Sequence, residues 1–103
     1  MARIVWSPEA SRRLIDIAAY MLLAAPEHAE SVVDRIVQAT ERLGDFPRMG
    51  RTLPHTRDFE AREIIVDRFH VVYAIDGETV EISTILHGAM DIATRLHELL
   101  GDA

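Results

Sequence analysis

Residues 61–87 read AREIIVDRFHVVYAIDGETVEISTILH, and this stretch decides the fold. Three runs rich in β-branched and aromatic residues, Ala61 to Val66, Phe69 to Ile75 and Thr79 to His87, are separated by the links Asp67-Arg68 and Asp76-Gly77. Val, Ile, Thr, Tyr and Phe suit a pleated, half-buried surface, and Asp-Gly supplies the positive φ that a tight hairpin needs. The spacing predicts a three-stranded antiparallel meander. Two-residue turns would pair Val66 with Phe69 and Ile75 with Glu78, and alternation then assigns every side chain to a face. One face collects Arg62, Ile64, Val66, Phe69, Val71, Tyr73, Ile75, Val80, Ile82, Thr84 and Leu86, dense enough to be core. The other collects Glu63, Ile65, His70, Val72, Ala74, Glu81, Ser83, Ile85 and His87. It is too polar for a core and too apolar for bare solvent, so a partner is expected to cover it.

Upstream, Arg3 to Trp6 reads as a short strand, and Ser7-Pro8-Glu9 as a helix start with Ser at the N-cap and Pro in the first turn. Leu14, Ile17, Ala18, Met21, Leu22 and Ala25 form one apolar stripe up to the break at Pro26. A second helix follows, with Ala29, Val32, Val33, Ile36, Val37, Thr40 and Leu43 on one face and Gly44 as a left-handed stop. So short a link predicts an antiparallel helical hairpin. Residues 45–59, with Pro47, Gly50 and Pro54, read as a long loop. A short last helix is expected from about Met90 to Leu100. The expected class is α+β in the order β-α-α-β-β-β-α, one domain over residues 1–103.

Composition narrows the function. The chain has 103 residues, 49% of them hydrophobic and 27% charged, which is globular rather than disordered. It lacks cysteine, which removes disulfides, thiolate metal sites and cysteine nucleophiles. No window approaches the roughly 18 apolar residues of a membrane span, and Met1 to Trp6 has no signal-peptide pattern, so the cytoplasm is the expected location. The net charge is −6, and all 11 basic residues are Arg. A protein that grips nucleic acid unaided needs a basic surface to displace counterions, so a protein partner is expected before bare DNA or RNA.

Chemical candidates are few. The five histidines lack the helical pairing of a metal site, so neither metal nor cofactor is expected. On the derived open face, His70 and His87 lie beside Glu63 and Glu81, and two histidines with a carboxylate can serve as base and acid in RNA cleavage. The attacked phosphate also needs cations, and that face as derived carries none. Arg48, Arg51 and Arg57 with Gly50 make the loop locally basic, and Arg62 opens the next strand. Clustered guanidinium groups on a loop suit recognition of a carboxylate-rich or phosphate-bearing partner.

Taken in order, Val5-Trp6-Ser7-Pro8-Glu9-Ala10, the helical hairpin, Pro47-Arg48-Met49-Gly50-Arg51, Arg62-Glu63, Phe69-His70-Val71-Val72-Tyr73 and His87-Gly88-Ala89-Met90-Asp91 resemble the RelE/ParE toxin superfamily across nearly the whole chain. The resemblance implies a small toxin neutralised by a cognate antitoxin laid on the sheet and the helical hairpin. RelE-like members cut mRNA in the ribosome, whereas ParE-like members inhibit DNA gyrase. Ile65 stands where RelE-like sequences tend to carry a catalytic Arg, the chain has no Lys, and His87-x-x-Met90-Asp91 is common in the ParE-like branch. The resemblance therefore implies a gyrase inhibitor that acts by binding, paired with a ParD-like antitoxin, with a ribosome-dependent mRNA endonuclease using His70 or His87 as the alternative. Target contact is expected at His87, Met90, Asp91, Arg51 and Arg62. Antitoxin contact is expected at Leu14, Ile17, Met21, Ile65, Val72, Ala74 and Ile85.

Overall fold

The computed structural model describes residues 1–54 and 59–87. The elements are β1 (Arg3–Trp6), α1 (Pro8–Ala24), α2 (Pro26–Arg42), β2 (Arg51–Thr52), β3 (Glu60–Val66), β4 (Phe69–Asp76) and β5 (Thr79–His87). Five strands form one sheet in the order β1-β5-β4-β3-β2. β1 runs parallel to β5, and the other pairings are antiparallel. The α+β class and the order from the first strand to the meander are as the sequence predicts. The expected last helix lies outside the described residues.

Local chemistry starts α1 where the sequence places it. The Ser7 hydroxyl accepts from the Ala10 N–H at 3.0 Å, satisfying one of the free donors of the first turn. The same hydroxyl donates to the Ser83 carbonyl at 2.8 Å, and the Ser7 N–H donates to the Ile82 carbonyl. One residue thus caps the helix and ties it to β5. Ala25 alone links α1 to α2, with Pro26 opening the second helix. The helices bring Ala10, Val32, Ile36 and Leu43 onto Ile64, Phe69, Val71, Tyr73, Ile75, Val80, Ile82 and Ile85 of the sheet.

Four details differ from the sequence reading. The Arg51–Thr52 segment, expected in a loop, pairs with Glu63 and Arg62 as an edge strand. Gly44 is not left-handed: among the described glycines only Gly77 has positive φ, and α2 ends on Leu43 in a right-handed conformation. Gly44 instead sits close to β1, where its carbonyl accepts from the Ala2 N–H at 2.7 Å. The second hairpin turns on Gly77-Glu78 rather than Asp76-Gly77, pairing Asp76 with Thr79 and Ile75 with Val80. That two-residue shift keeps every side chain on its predicted face.

The fourth difference does change faces. A bulge opposite Val72 and Tyr73 pairs Tyr73 with Ile82 but Val72 with Thr84. One extra residue on β5 reverses the alternation beyond it. Thr84 is buried and donates to the Glu9 carboxylate of α1 at 3.1 Å, and the next residue, Ile85, also joins the core beneath the helices. Leu86 then points the other way, into a second cluster with Leu53, Ala61 and Val72. Ile85 and His87 therefore leave the open face to which alternation assigns them, and Leu86 takes a place there.

Candidate functional site

The open face of the sheet is built around Glu63. Its carboxylate is buried in the centre of β3 and is satisfied from two sides. His70 Nδ1 of the paired strand lies 3.0 Å from Oε2, and the Arg51 guanidinium donates through Nε to Oε1. A carboxylate only accepts, so Nδ1 carries the hydrogen of this contact. β2 thus brings a guanidinium to a face that the sequence reading leaves without one, and ties it to the same acid as the imidazole. A buried carboxylate left without partners would be strongly destabilising, so the arrangement fixes β2 to the sheet as well as orienting His70.

His87 is elsewhere. Its ring stands edge-on to Phe69 at 5.7 Å between centroids, and with Arg13, Asp16, Ile17, Tyr20 and Ile85 it lines a groove of about 350 Å³ against α1. The expected convergence of His70 and His87 on one face is corrected by the bulge, and the two do not assemble as an acid–base pair. Met90, Asp91 and Arg57 lie outside the described residues.

The residues expected at the antitoxin surface divide by exposure. Ile65 is 59% exposed on β3. Val72 and Ile85 are buried in the chain's own packing, on opposite faces, and Ala74 is nearly so. Leu14, Ile17 and Met21 turn inward, half-buried against the core. The apolar side chains that α1 shows to solvent are Ile15, Tyr20, Leu22 and Leu23. Part of the expected cover over the open face is supplied by Leu53, which packs on Ala61, Val72 and Leu86.

Arg62 belongs to a second cluster, under the segment between α2 and β2. Tyr73 donates its hydroxyl to the Pro47 carbonyl at 2.7 Å and accepts from the buried Gly50 N–H at 3.0 Å. Arg62 Nη1 donates to the carbonyls of Gly50 (2.7 Å) and Arg48 (3.1 Å). Glu60 accepts from Arg62 Nε and, at 3.1 Å, from Arg48 Nη2. The Arg62 hydrogen bond, with help from Arg48, holds the Glu60 carboxyl below its ordinary range. Burial pushes the Tyr73 phenol above its own, against the Gly50 hydrogen bond. A Cβ on Gly50 would lie 2.5 Å from the Glu63 carbonyl oxygen and 2.6 Å from the Tyr73 hydroxyl, so the close approach needs glycine. The sequence shows the arginines and the glycine of this latch, but nothing in it names Tyr73 as their partner.

Among the described residues, no three His, Cys, Asp or Glu side chains gather as metal ligands, and no helix is long and apolar enough to cross a membrane.

A helical hairpin on an antiparallel meander, with a parallel first strand at its edge, defines the class as a small α+β domain. A chain in the solved structure of the chromosomal ParDE TA system from P. aeruginosa matches with a TM-score of 0.70 at 21% identity, covering 84% of this chain and 96% of that one. The family model for the ParE toxin of the type II toxin-antitoxin system, parDE, matches residues 4–92. The chain belongs to this ParE toxin family. It is 36% identical over 87 residues to the putative toxin Y4kP of Sinorhizobium fredii, covering 82% of this chain and 86% of the relative. It is 37% identical over 68 residues to toxin ParE3 of Caulobacter vibrioides, covering 66% of this chain and 67% of the relative.

Proposed function

We propose that this ParE-type toxin inhibits DNA gyrase by binding, contributes no catalytic side chain, and is held inactive by a ParD-like antitoxin. The observation that carries the reading is the state of the two histidines. His70 is tied to a carboxylate that also neutralises Arg51, and His87 is on the other face. Cleaving a phosphodiester calls for a base and an acid on one substrate, and among the described residues the open face offers one tethered imidazole whose Glu63 partner is already held by Arg51. Antitoxin contact falls on Ile65 and Ala74 of the open face and on α1, where Leu14, Ile17 and Met21 back the exposed Ile15, Tyr20, Leu22 and Leu23. The groove beside His87 offers a socket for one apolar antitoxin side chain, with Val72 and Ile85 supporting the two faces from within. Arg51, Arg62, His87, Met90 and Asp91 are assigned to target engagement.

Purified toxin should block supercoiling of relaxed plasmid by gyrase, and added antitoxin should restore it. Unaffected supercoiling together with ribosome-dependent mRNA cleavage would replace this reading with the endonuclease one. In that case His70→Ala with His87→Ala abolishes toxicity, which the binding reading expects to survive at least in part.

A further inference from the structure

The segment between α2 and β2 shows solvent two large apolar side chains, Phe46 at 61% and Met49 at 44% exposure. With Pro47, Arg42 and Arg48 they line an open hollow of about 560 Å³. Among the described residues, both charged ones lining it are cations. Arg42 is exposed, and Arg48 spends only Nη2 on Glu60. A surface segment that shows an aromatic ring would ordinarily be free to bend and hide it. Here the Tyr73, Arg62 and Glu60 latch holds the backbone at Pro47, Arg48 and Gly50, so Phe46 and Met49 are presented on a fixed frame.

We propose that this knuckle is a surface with which the toxin grips its protein target, at an apolar side chain of the target flanked by carboxylates. The proposal rests on the reading that the toxin acts by binding. The target's apolar side chain enters the hollow that Phe46 and Met49 line, and its flanking carboxylates meet Arg42 and Arg48. Aromatic residues, Met and Arg are enriched in interfaces, and a few of them at the centre carry most of the affinity. A preformed loop loses less conformational freedom on binding, which gives the latch a purpose beyond stability. Bare DNA fits less well: the centre of the patch is apolar, two cations line it among the described residues, and the net charge is −6. Arg62 is on this account a positioning residue, acting on the target through the loop it holds.

The test uses the full chain with Phe46→Ser and Met49→Ser combined, and separately Arg42→Glu, which changes one exposed side chain. Three readouts are taken: growth arrest on expression without antitoxin, co-purification with the antitoxin, and gyrase supercoiling. The double variant should lose growth arrest and weaken gyrase inhibition at least about thirtyfold, while the antitoxin still co-purifies with it. Arg42→Glu should weaken inhibition about tenfold, and it decides the matter if the double variant folds poorly. Full growth arrest by both variants overturns the proposal. So does loss of antitoxin capture alongside loss of arrest, which would give the knuckle to the antitoxin, or a loss confined to binding of bare duplex DNA. If the wild type arrests growth but leaves gyrase untouched, the gyrase reading alone fails, and growth arrest by the variants still decides the surface.

Discussion

Removing the Tyr73 hydroxyl should destabilise the chain well beyond an ordinary Tyr→Phe change. In Tyr73→Phe the ring keeps its place in the core, but two backbone groups lose their partner, the Gly50 N–H at 3.0 Å and the Pro47 carbonyl at 2.7 Å. Gly50 is buried, so its N–H has no route to water, and an unsatisfied buried donor costs about 1–3 kcal/mol. Pro47 is half-buried and its carbonyl can be rehydrated, so that bond adds only the net value of about 1 kcal/mol. The sum is about 2–4 kcal/mol. For a chain of this size each kcal/mol is worth about 4–8 °C in melting temperature, so a fall of about 8 °C or more is expected. Urea denaturation followed by circular dichroism and by the fluorescence of Trp6, the only tryptophan, measures it. The midpoint should fall with the slope unchanged. Tyr20→Phe, at an exposed ring on α1, is the control and should stay within about 0.5 kcal/mol. A loss below about 0.5 kcal/mol in Tyr73→Phe would refute the latch, because water would then reach Gly50 and the loop would not be fixed.

Gly50→Ala should also loosen the loop, because its Cβ meets a backbone oxygen and the latch hydroxyl together. A thermal melt should show a loss of about 1–3 kcal/mol, and an unchanged melt would contradict the close approach. The bulge is tested by comparing Ile85→Ala with Ile65→Ala. The first should cost about 2–5 kcal/mol and the second under about 1 kcal/mol, whereas unbroken alternation would put both on the open face with similar, small losses. Glu60 is held below its ordinary value of 4.5 by Arg62 and Arg48, so its contribution is present above that pH and fades as pH falls through the lower folded value. Glu60→Gln should flatten this acid limb of a stability–pH curve. Tyr73 is raised above 10.0 by burial, so its contribution holds below that pH and is lost as pH rises toward the folded value. Tyrosinate absorbance should show a late step that Tyr73→Phe abolishes.

What the sequence makes legible is what local chemistry decides. Ser7 and Pro8 start α1 because a side-chain oxygen and a missing N–H suit a helix end, and the link Asp67-Arg68 turns the first hairpin where the apolar runs stop. Asp67 there takes a φ of 55°, tolerated because short polar side chains can adopt the left-handed region. The meander, the helical hairpin and the buried stripe of α2 follow from periods of two and of three to four. β2 escapes because Arg51 and Thr52 are too short for any period, and their strand character comes from Glu63 and Arg62 across the sheet. The pairing of β1 with β5 is equally distant in the chain. The bulge leaves only one trace, the adjacent apolar pair Ile85-Leu86, which alternation must place on two faces but cannot say which.

The two features hidden from the sequence bear on the chemistry of the site. Strict alternation would set His87 beside His70, and a loop in place of β2 would leave Glu63 to the imidazole alone, which is the arrangement a proton-transfer site needs. The bulge moves His87 to the α1 side, and β2 lays Arg51 across Glu63, so the charge of the guanidinium is engaged by the acid that orients His70. Each change is worth little in backbone terms, one inserted residue and two ladder pairs, yet together they turn a potential acid–base pair into one tethered imidazole and a separate groove. The same edge strand follows directly from the latched segment that shows Phe46 and Met49. Non-local pairing therefore disperses a catalytic arrangement around the middle of β3 and fixes the segment that shows Phe46 and Met49 beside its start, and both effects favour the proposed binding over cutting.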